Sequence, residues 1–327
     1  METLQSFDLF PLEKGFVGAK PIEKANDSVF LELERNDNLI IERKRNGHAA
    51  LVPVTGFGRE RRIELYSRGI SSLSSRFPAL VEELREMNIP KDTLLGGEML
   101  ACVNGNDSLE TFLRFVKSNP ERAVALQANG SPINLVFFNV IVHKGKPVAS
   151  LPYIDRLDIV RELFAKHQAR ALSVVEVLDE SFEAAKAKSL ANGWEGLVLY
   201  DKRASSTYRL DGKSEDAPRP LGCWKWKRYH TEDFVVTGWV PSTTASRLGM
   251  VKDFKIAQYN KAGELVPCGK VSSGVTVKQR KELADDSLYP MVCEIKFPHR
   301  TVKNRLSFAE IVRFRIDKTP RECVMQK

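Results

Sequence analysis

Ile41-Glu42-Arg43-Lys44-Arg45-Asn46-Gly47-His48 stands between short apolar runs, and its reading decides the rest of the chain. Phe30-Leu31-Glu32-Leu33 and Leu39-Ile40-Ile41 precede it and Ala49-Ala50-Leu51-Val52 follows. Runs of this length and composition predict strands leading into and out of a Gly-containing turn. Lys44 then lies at the rim of a sheet. A lysine beside a buried sheet loses proton affinity through desolvation and through neighbouring cations, here Arg43 and Arg45, and its free amine is a nucleophile. With an aldehyde it would form a Schiff base, and with a nucleotide α-phosphate a phosphoramidate. A hairpin with a solvated basic tip carries the same pattern, because Asn-Gly is common at turns. The octapeptide alone leaves these readings open.

The 327 residues, 43% of them hydrophobic, are enough for one large or two ordinary domains with real cores. No stretch approaches the roughly 20 apolar residues of a membrane span. The start, Met1-Glu2-Thr3-Leu4-Gln5-Ser6, lacks the regions of a signal peptide. A soluble, intracellular (cytoplasmic) protein with no membrane partner is expected. The five cysteines, at 102, 223, 268, 293 and 323, are scattered without Cys-x-x-Cys spacing, which predicts reduced thiols rather than a disulfide framework or a zinc site. From Thr231 onward there are 17 Lys and Arg against 11 Asp and Glu, so +6 of the total +8 charge falls in under a third of the chain. A basic C-terminal part without a basic amphipathic helix points to nucleic acid before membrane.

Residues 1–28, with Phe7, Phe10 and Phe16, read as a lead-in segment. Ile63 to Gly69 alternates as a strand and leaves Arg68 at its end, available to a phosphate or carboxylate. Phe77 to Met87 has helical spacing, and Thr93 to Cys102 is an apolar strand broken by Gly96-Gly97-Glu98. A carboxylate inside an apolar strand costs several kcal/mol unless partnered, so Glu98 needs a cation, a hydroxyl or a metal. Leu109 to Ala128 reads as helical, Ile133 to Val142 as a strand carrying Phe138, and Ile154 to His167 and Ser181 to Asn192 as helices. Trp194 to Tyr200 repeats the pattern of acid, glycine and apolar strand, with Glu195 as the acid; two such acids suit a divalent cation or a ribose. Ala204 to Pro220 reads as a loop. Gly222 to Arg228 alternates, which places Lys225 and Lys227 on one face of a strand and Trp224 and Trp226 on the other. Two lysines side by side favour an anion between them, although edge strands are also often protected by lysine. From Glu232 on, about five short strands and one helix, Val277 to Ala284, suit a small barrel of the oligonucleotide-binding type. Arg313 and Arg315 project together near the end.

In order, Lys44 with Asn46 and Gly47, Ser67-Arg68, Gly97-Glu98, Phe138, Glu195-Gly196, Lys225 with Lys227, and Arg313 through Lys318 closely resemble the motifs of the covalent nucleotidyltransferases, specifically ATP-dependent DNA ligases of compact viral or bacterial kind. The resemblance covers nearly the whole chain. It implies an α+β architecture: a nucleotidyltransferase (adenylation) domain over 1–230, with antiparallel sheets and flanking helices, then an OB-fold β-barrel over 231–327. It also implies sealing of 5′-phosphate/3′-hydroxyl nicks in duplex DNA through lysyl-AMP and AMP-DNA intermediates, with ATP as co-substrate, Mg²⁺ or Mn²⁺ as cofactor, and a monomer acting on nicked DNA. By the resemblance, Lys44 is the nucleophile, Lys225 and Lys227 hold the α-phosphate, Arg68 holds phosphate, and Glu98 binds the ribose and, with Glu195, the metal. Phe138 stacks on adenine, Glu42 and Asn46 border the nucleotide, and Arg313, Arg315, Asp317 and Lys318 orient pyrophosphate.

Three departures stand out. The usual Lys-x-Asp-Gly-x-Arg turn has Asn46 for the acid and His48 for the arginine, and Asn139 stands where aspartate is usual. Asn46 keeps an acceptor oxygen but loses charge, and His48 cannot make a bidentate arginine contact. These leave an RNA ligase, or a ligase accepting RNA at the nick ends, as the first alternative. A GTP-dependent mRNA capping guanylyltransferase is the second, and a catalytically silent nucleic-acid-binding module is the reading from outside enzyme chemistry.

Overall fold

The computed structural model describes residues 17–18, 21–22, 26–56, 60–103, 105–128, 130, 132–168, 170–206, 208–209, 221–301 and 304–325. Most of the N-terminal lead-in with Phe7, Phe10 and Phe16, and most of the 204–220 loop, lie outside the described residues. The chain divides into two compact units, Met1–Trp226 and Lys227–Lys327. Among the described residues no helix is long and apolar enough to cross a membrane.

The first unit is a mixed α/β structure built on two sheets. The larger runs Leu172–Val174, Ile133–His143, Thr93–Val103, His48–Thr55 and Arg62–Ile63 in spatial order; its neighbours are antiparallel except the first pair, which is parallel. The smaller runs Cys223–Lys227, Gly196–Asp201 and Leu39–Lys44. Thus the strand entering the Lys44 turn and the strand leaving it belong to different sheets, and the Gly-containing turn is a crossover between them, which rules out the alternative of a hairpin tip. Helices Pro78–Glu86, Leu109–Val116 and Pro120–Ala128 help close a core containing Phe77, Leu84, Phe112 and Ala123 against Val52, Leu95 and Leu135 of the large sheet. The region expected as one helix from Leu109 is two, because Pro120 starts the second; a proline is well placed in a first turn and poorly placed in an interior.

One expected strand is a helix. Phe30-Leu31-Glu32-Leu33 lies within the helix Asp27–Arg35, capped by the Asn26 side chain accepting from the Ser28 N–H. Its alternation of apolar and polar residues is too short to distinguish a period of 2 from one of 3.6. Phe30 alone is buried from this helix, packing with Phe182, Leu197 and Trp224 behind the small sheet. A third cluster, with Ile40, Leu100, Val136, Tyr153, Leu157 and Tyr200, joins residues of the two sheets and of the helix Tyr153–Phe164.

The second unit is a five-stranded antiparallel sheet in the order Leu265–Val271, Val251–Tyr259, His230–Pro241, Met291–Phe297 and Glu310–Arg315. Its ladder is not closed, but a single parallel bridge joins Ser273, just past one outer strand, to Glu310 at the start of the other. The helix Val277–Glu282 starts with a reciprocal cap between Thr276 and Gln279. Phe234, Phe254, Ile295 and Phe297 fill the core, and all five cysteines of the chain are free thiols.

Candidate active site

Pairing register assembles the site in the first unit. On the small sheet Gly196 faces Lys44, Leu197 faces Arg43 and Val198 faces Glu42, so Glu195 falls just beyond the last pair, beside the lysine. Lys44 Nζ donates to Glu195 Oε2 at 2.6 Å, and the lysine side chain keeps 20% of its surface exposed. On the large sheet Ala49 faces Glu98 and Ala50 faces both Gly97 and Ser67, which brings Glu98 and the neighbourhood of Arg68 to the same end. Glu98 is pushed up to about 7, chiefly by burial and further by the charge of Glu195, against the pull of Lys44, Arg68 and the Gly47 N–H. Two acids and two cations therefore act on one another across the crossover.

Gly47 is required there by space. A Cβ would stand 2.2 Å from the Met99 carbonyl oxygen and 2.5 Å from Leu100 Cδ2, so only a glycine lets the turn lie against the Glu98 strand. Gly97 meets the same limit, 2.8 Å from the Val136 carbonyl. The ladder between these two strands slips between Gly96 and Gly97, which face Asn139 and Phe137, and Phe138 falls at the slip. A bulge at this point re-aims the side chain. Phe138 packs, half-buried, against the cluster that contains Tyr153 and Tyr200.

Glu42 is 2% exposed and accepts a hydrogen bond from the Tyr153 hydroxyl, which also reaches the Phe138 carbonyl at 3.1 Å. Burial pushes Glu42 up to about 8, so it is a neutral acid at pH 7. Tyr153 stacks on Tyr200 with centroids 3.7 Å apart. Beneath it Arg156, fully buried, donates to Asn139 Oδ1 at 2.9 Å and to the carbonyls of Ala149, Leu151 and Ala204. None of these partners is a carboxylate.

The two cations flanking the lysine are themselves paired. Arg43 and Arg45 both pair with Asp107, at 3.2 and 2.8 Å, and so carry a counter-charge. His48 stacks on Phe112 at 5.4 Å, its Nε2 buried without a partner among the described residues.

The model of the ATP dependent DNA ligase domain matches residues 19–217. The chain belongs to that family. It is 24% identical to a DNA ligase of Pyrobaculum islandicum over 274 residues, covering 80% of this chain and 43% of that protein. It is 25% identical over 273 residues to an SPbeta prophage-derived DNA ligase-like protein of Bacillus subtilis, covering 79% and 87%. The chain thus spans less than half of the Pyrobaculum ligase. Among solved structures it resembles one from "DNA binding with a minimal scaffold: Structure-function analysis of Lig E DNA ligases", with TM-score 0.63, 16% identity and coverage of 91% and 99%. It also resembles Pmar-Lig_PreS3, with TM-score 0.67, 16% identity and coverage of 91% and 67%. At such identities these two likenesses establish the fold.

In this ligase-family chain, Lys44, Glu42, Asn46, Arg68, Glu98, Phe138, Glu195 and Lys225 lie in the first unit. Lys44, Arg68, Glu98 and Glu195 meet directly or through their charges, while Glu42 and Phe138 share Tyr153. Lys225 follows Trp224, which packs into the core behind the small sheet. Lys227, Arg313, Arg315, Asp317 and Lys318 lie in the second unit. There Arg313 pairs with Glu294 at 2.5 Å, Arg315 with Asp317 at 2.6 Å and Asp233 at 3.4 Å, and Lys318 with Asp233. Arg315 holds the Asp317 carboxyl well below the usual range. Sequence reading missed Tyr153, Arg156, Asp107 and Asp233. The spacing of Tyr153 and Arg156 after Leu151-Pro152 puts them on one helix face, but nothing local marks either aspartate.

Proposed function

We propose that the chain is an ATP-dependent DNA ligase that seals 5′-phosphate/3′-hydroxyl nicks in duplex DNA, and that Lys44 carries the AMP. The observation that supports this best is the Lys44 amine held 2.6 Å from Glu195 at a crossover between two sheets, within electrostatic reach of Glu98, on which Arg68 also acts. An amine becomes a nucleophile by giving a proton to a neighbour, and Glu195 is the neighbour in place.

In the first step the Nζ lone pair forms a P–N bond with the α-phosphorus of ATP. The α–β P–O bond breaks, pyrophosphate leaves with its electron pair, and the amine gives up a proton. In the second, an oxygen of the nick's 5′-phosphate attacks the same phosphorus, the P–N bond breaks, and the lysine amine recovers a proton. In the third, the 3′-hydroxyl oxygen attacks the 5′-phosphorus, AMP leaves, and the hydroxyl proton is released. Such steps are served mainly by positioning and by offsetting charge on non-bridging oxygens. Arg68 and Lys225 supply charge in the first unit, Glu98 takes the ribose hydroxyls, and Phe138 and Glu42 border the base.

The donor set fits a divalent cation of the Mg²⁺ kind, which takes one or two carboxylates and completes its shell with substrate oxygens and water. Glu195 and Glu98 would hold it; Glu98 is a buried acid whose ionisation a cation would favour. Mg²⁺ supplies Lewis-acid neutralisation of the phosphates.

The second unit is read as an OB-fold domain beginning near residue 231. The parallel bridge between Ser273 and Glu310, with the helix Val277–Glu282 between the third and fourth strands, supports a partly open five-stranded barrel. Its Arg313, Arg315, Asp317 and Lys318 are assigned to pyrophosphate orientation. Free thiols and an ATP requirement fit an intracellular setting.

The inward-turned His48 and the neutral Asn46 favour one secondary question, whether RNA is accepted on either side of the nick. The test is intact mass after incubation of nucleotide-free protein with Mg²⁺ and ATP or GTP. One AMP gained by the wild type and none by Lys44→Ala is the expected result. A GMP adduct would move the function to capping, and no adduct would leave only a binding role. Sealing of matched nicks with DNA or RNA at each end then sets the sugar preference.

A further inference from the structure

Asp107 belongs to none of the motifs and lies 61 to 62 positions from the turn it touches. Its carboxylate is 4% exposed on the short strand Asn106–Asp107, which folds back on the Thr93–Val103 strand with Asp107 facing Cys102. One oxygen takes the Arg45 guanidinium at 2.8 Å. The other takes Arg43 at 3.2 Å and lies 3.4 Å from the Asn46 backbone N–H. The Nε atoms of both arginines are buried without a partner among the described residues, so each guanidinium is held from its outer end.

These three contacts bracket Lys44. Along an extended strand alternate side chains leave on opposite faces, and the residues on either side of the lysine are gripped by one carboxylate while the lysine itself meets Glu195. The grip also extends toward that acid. The Arg43 guanidinium lies 5.0 Å from the centroid of Trp194, the residue before Glu195, so the same cation touches Asp107 and the segment that carries the lysine's partner. A buried carboxylate satisfied by two guanidiniums and a backbone N–H is costly to dismantle, since removing it strands two half-buried cations.

We propose that Asp107 is a positioning residue for lysine adenylation. By clamping Arg43, Arg45 and the Asn46 N–H, it fixes the crossover so that the Lys44 amine and Glu195 stand ready at the α-phosphate. The role rests on the ligase reading above. Asp107 does not meet the reacting atoms; it acts through the backbone on both sides of Lys44. A displacement of the amine by about 1 Å is enough to lower a transfer rate about 100-fold.

The test uses the full chain and three readouts: the rate constant for AMP adduct formation at saturating ATP, the dissociation constant for ATP, and sealing of a nick that already carries AMP on its 5′-phosphate. The last needs no P–N bond to Lys44. Asp107→Ala removes the clamp, and Asp107→Asn keeps its shape while losing the charge that holds two guanidiniums. Circular dichroism and thermal melting follow the fold of each. Adduct formation is expected to fall about 100-fold in Asp107→Ala and less in Asp107→Asn, with ATP affinity and sealing of the pre-adenylated nick kept near wild type. Wild-type adduct formation in both variants would overturn the proposal, as would equal loss of all three readouts, which marks a merely structural residue. No adduct from the wild type would instead overturn the ligase reading, and the clamp's catalytic role with it.

Discussion

Replacing Glu42 by glutamine tests the electrostatics of the site without touching the nucleophile. In the folded chain burial raises this carboxyl from 4.5 to about 8, and the Tyr153 hydroxyl donates to it. Between about pH 4.5 and about 8 the folded chain therefore holds a proton that the unfolded chain has released. The stability this contributes is fully present below the unfolded value and is lost as pH rises through the folded one. A displacement from 4.5 to about 8 corresponds to roughly 5 kcal/mol between the two protonation states. Glu42→Gln keeps an acceptor oxygen for Tyr153 and removes the titration. The assay is urea unfolding of both proteins at about pH 5 and about pH 8.5, read as the difference in unfolding free energy between mutant and wild type. That difference should move in the mutant's favour by several kcal/mol from the lower to the higher pH. An unchanged difference would show that Glu42 is ionised in the fold and that the neutral-acid description is wrong.

Other outcomes follow from the same geometry. Gly47→Ala should destabilise the first unit by about 1–3 kcal/mol in urea unfolding, because its Cβ would stand 2.2 Å from a backbone oxygen; an unchanged midpoint would mean that the strand can withdraw. Asn139→Asp should stabilise the chain by about 1 kcal/mol, since the buried Arg156 guanidinium would then donate to a carboxylate and form an ion pair where it now donates to a neutral amide oxygen. A fall in the urea midpoint would refute that account. Binding to nicked duplex should weaken steeply as salt rises from about 50 to about 200 mM if the contacts are mainly to phosphate; a flat response in fluorescence anisotropy would argue against it.

Most strands and helices were legible because their signals are local. Thr93 to Cys102 and Ile133 to Val142 are long apolar runs with no competing period, and both are strands. Phe30 to Leu33 was misread because four residues cannot separate the two periods, and the cap that decides for helix, Asn26, lies outside the run. The chemistry of the site was legible as residue types in an order: a lysine ahead of a glycine turn, acids beside glycines within or just ahead of apolar strands, and paired lysines. Its geometry was not. Arg43 and Arg45 were legible as neighbours of the lysine, but their counter-charge, Asp107, was not.

By itself the sequence determined which groups are available and which faces of each element they occupy, since side-chain period and the steric needs of glycine and proline act over a few residues. Tertiary structure alone decided which groups meet. Lys44 and Glu195 are 151 positions apart, Glu42 and Tyr153 are 111 apart, and Arg45 and Asp107 are 62 apart. Each meeting depends on strand register or on how a helix or hairpin packs, and a slip of one residue would turn every side chain of a strand to its other face. The neutrality of Glu42 is of the same kind. A glutamate has no intrinsic reason to stay protonated at pH 7, and it does so here because folding withdraws it from water.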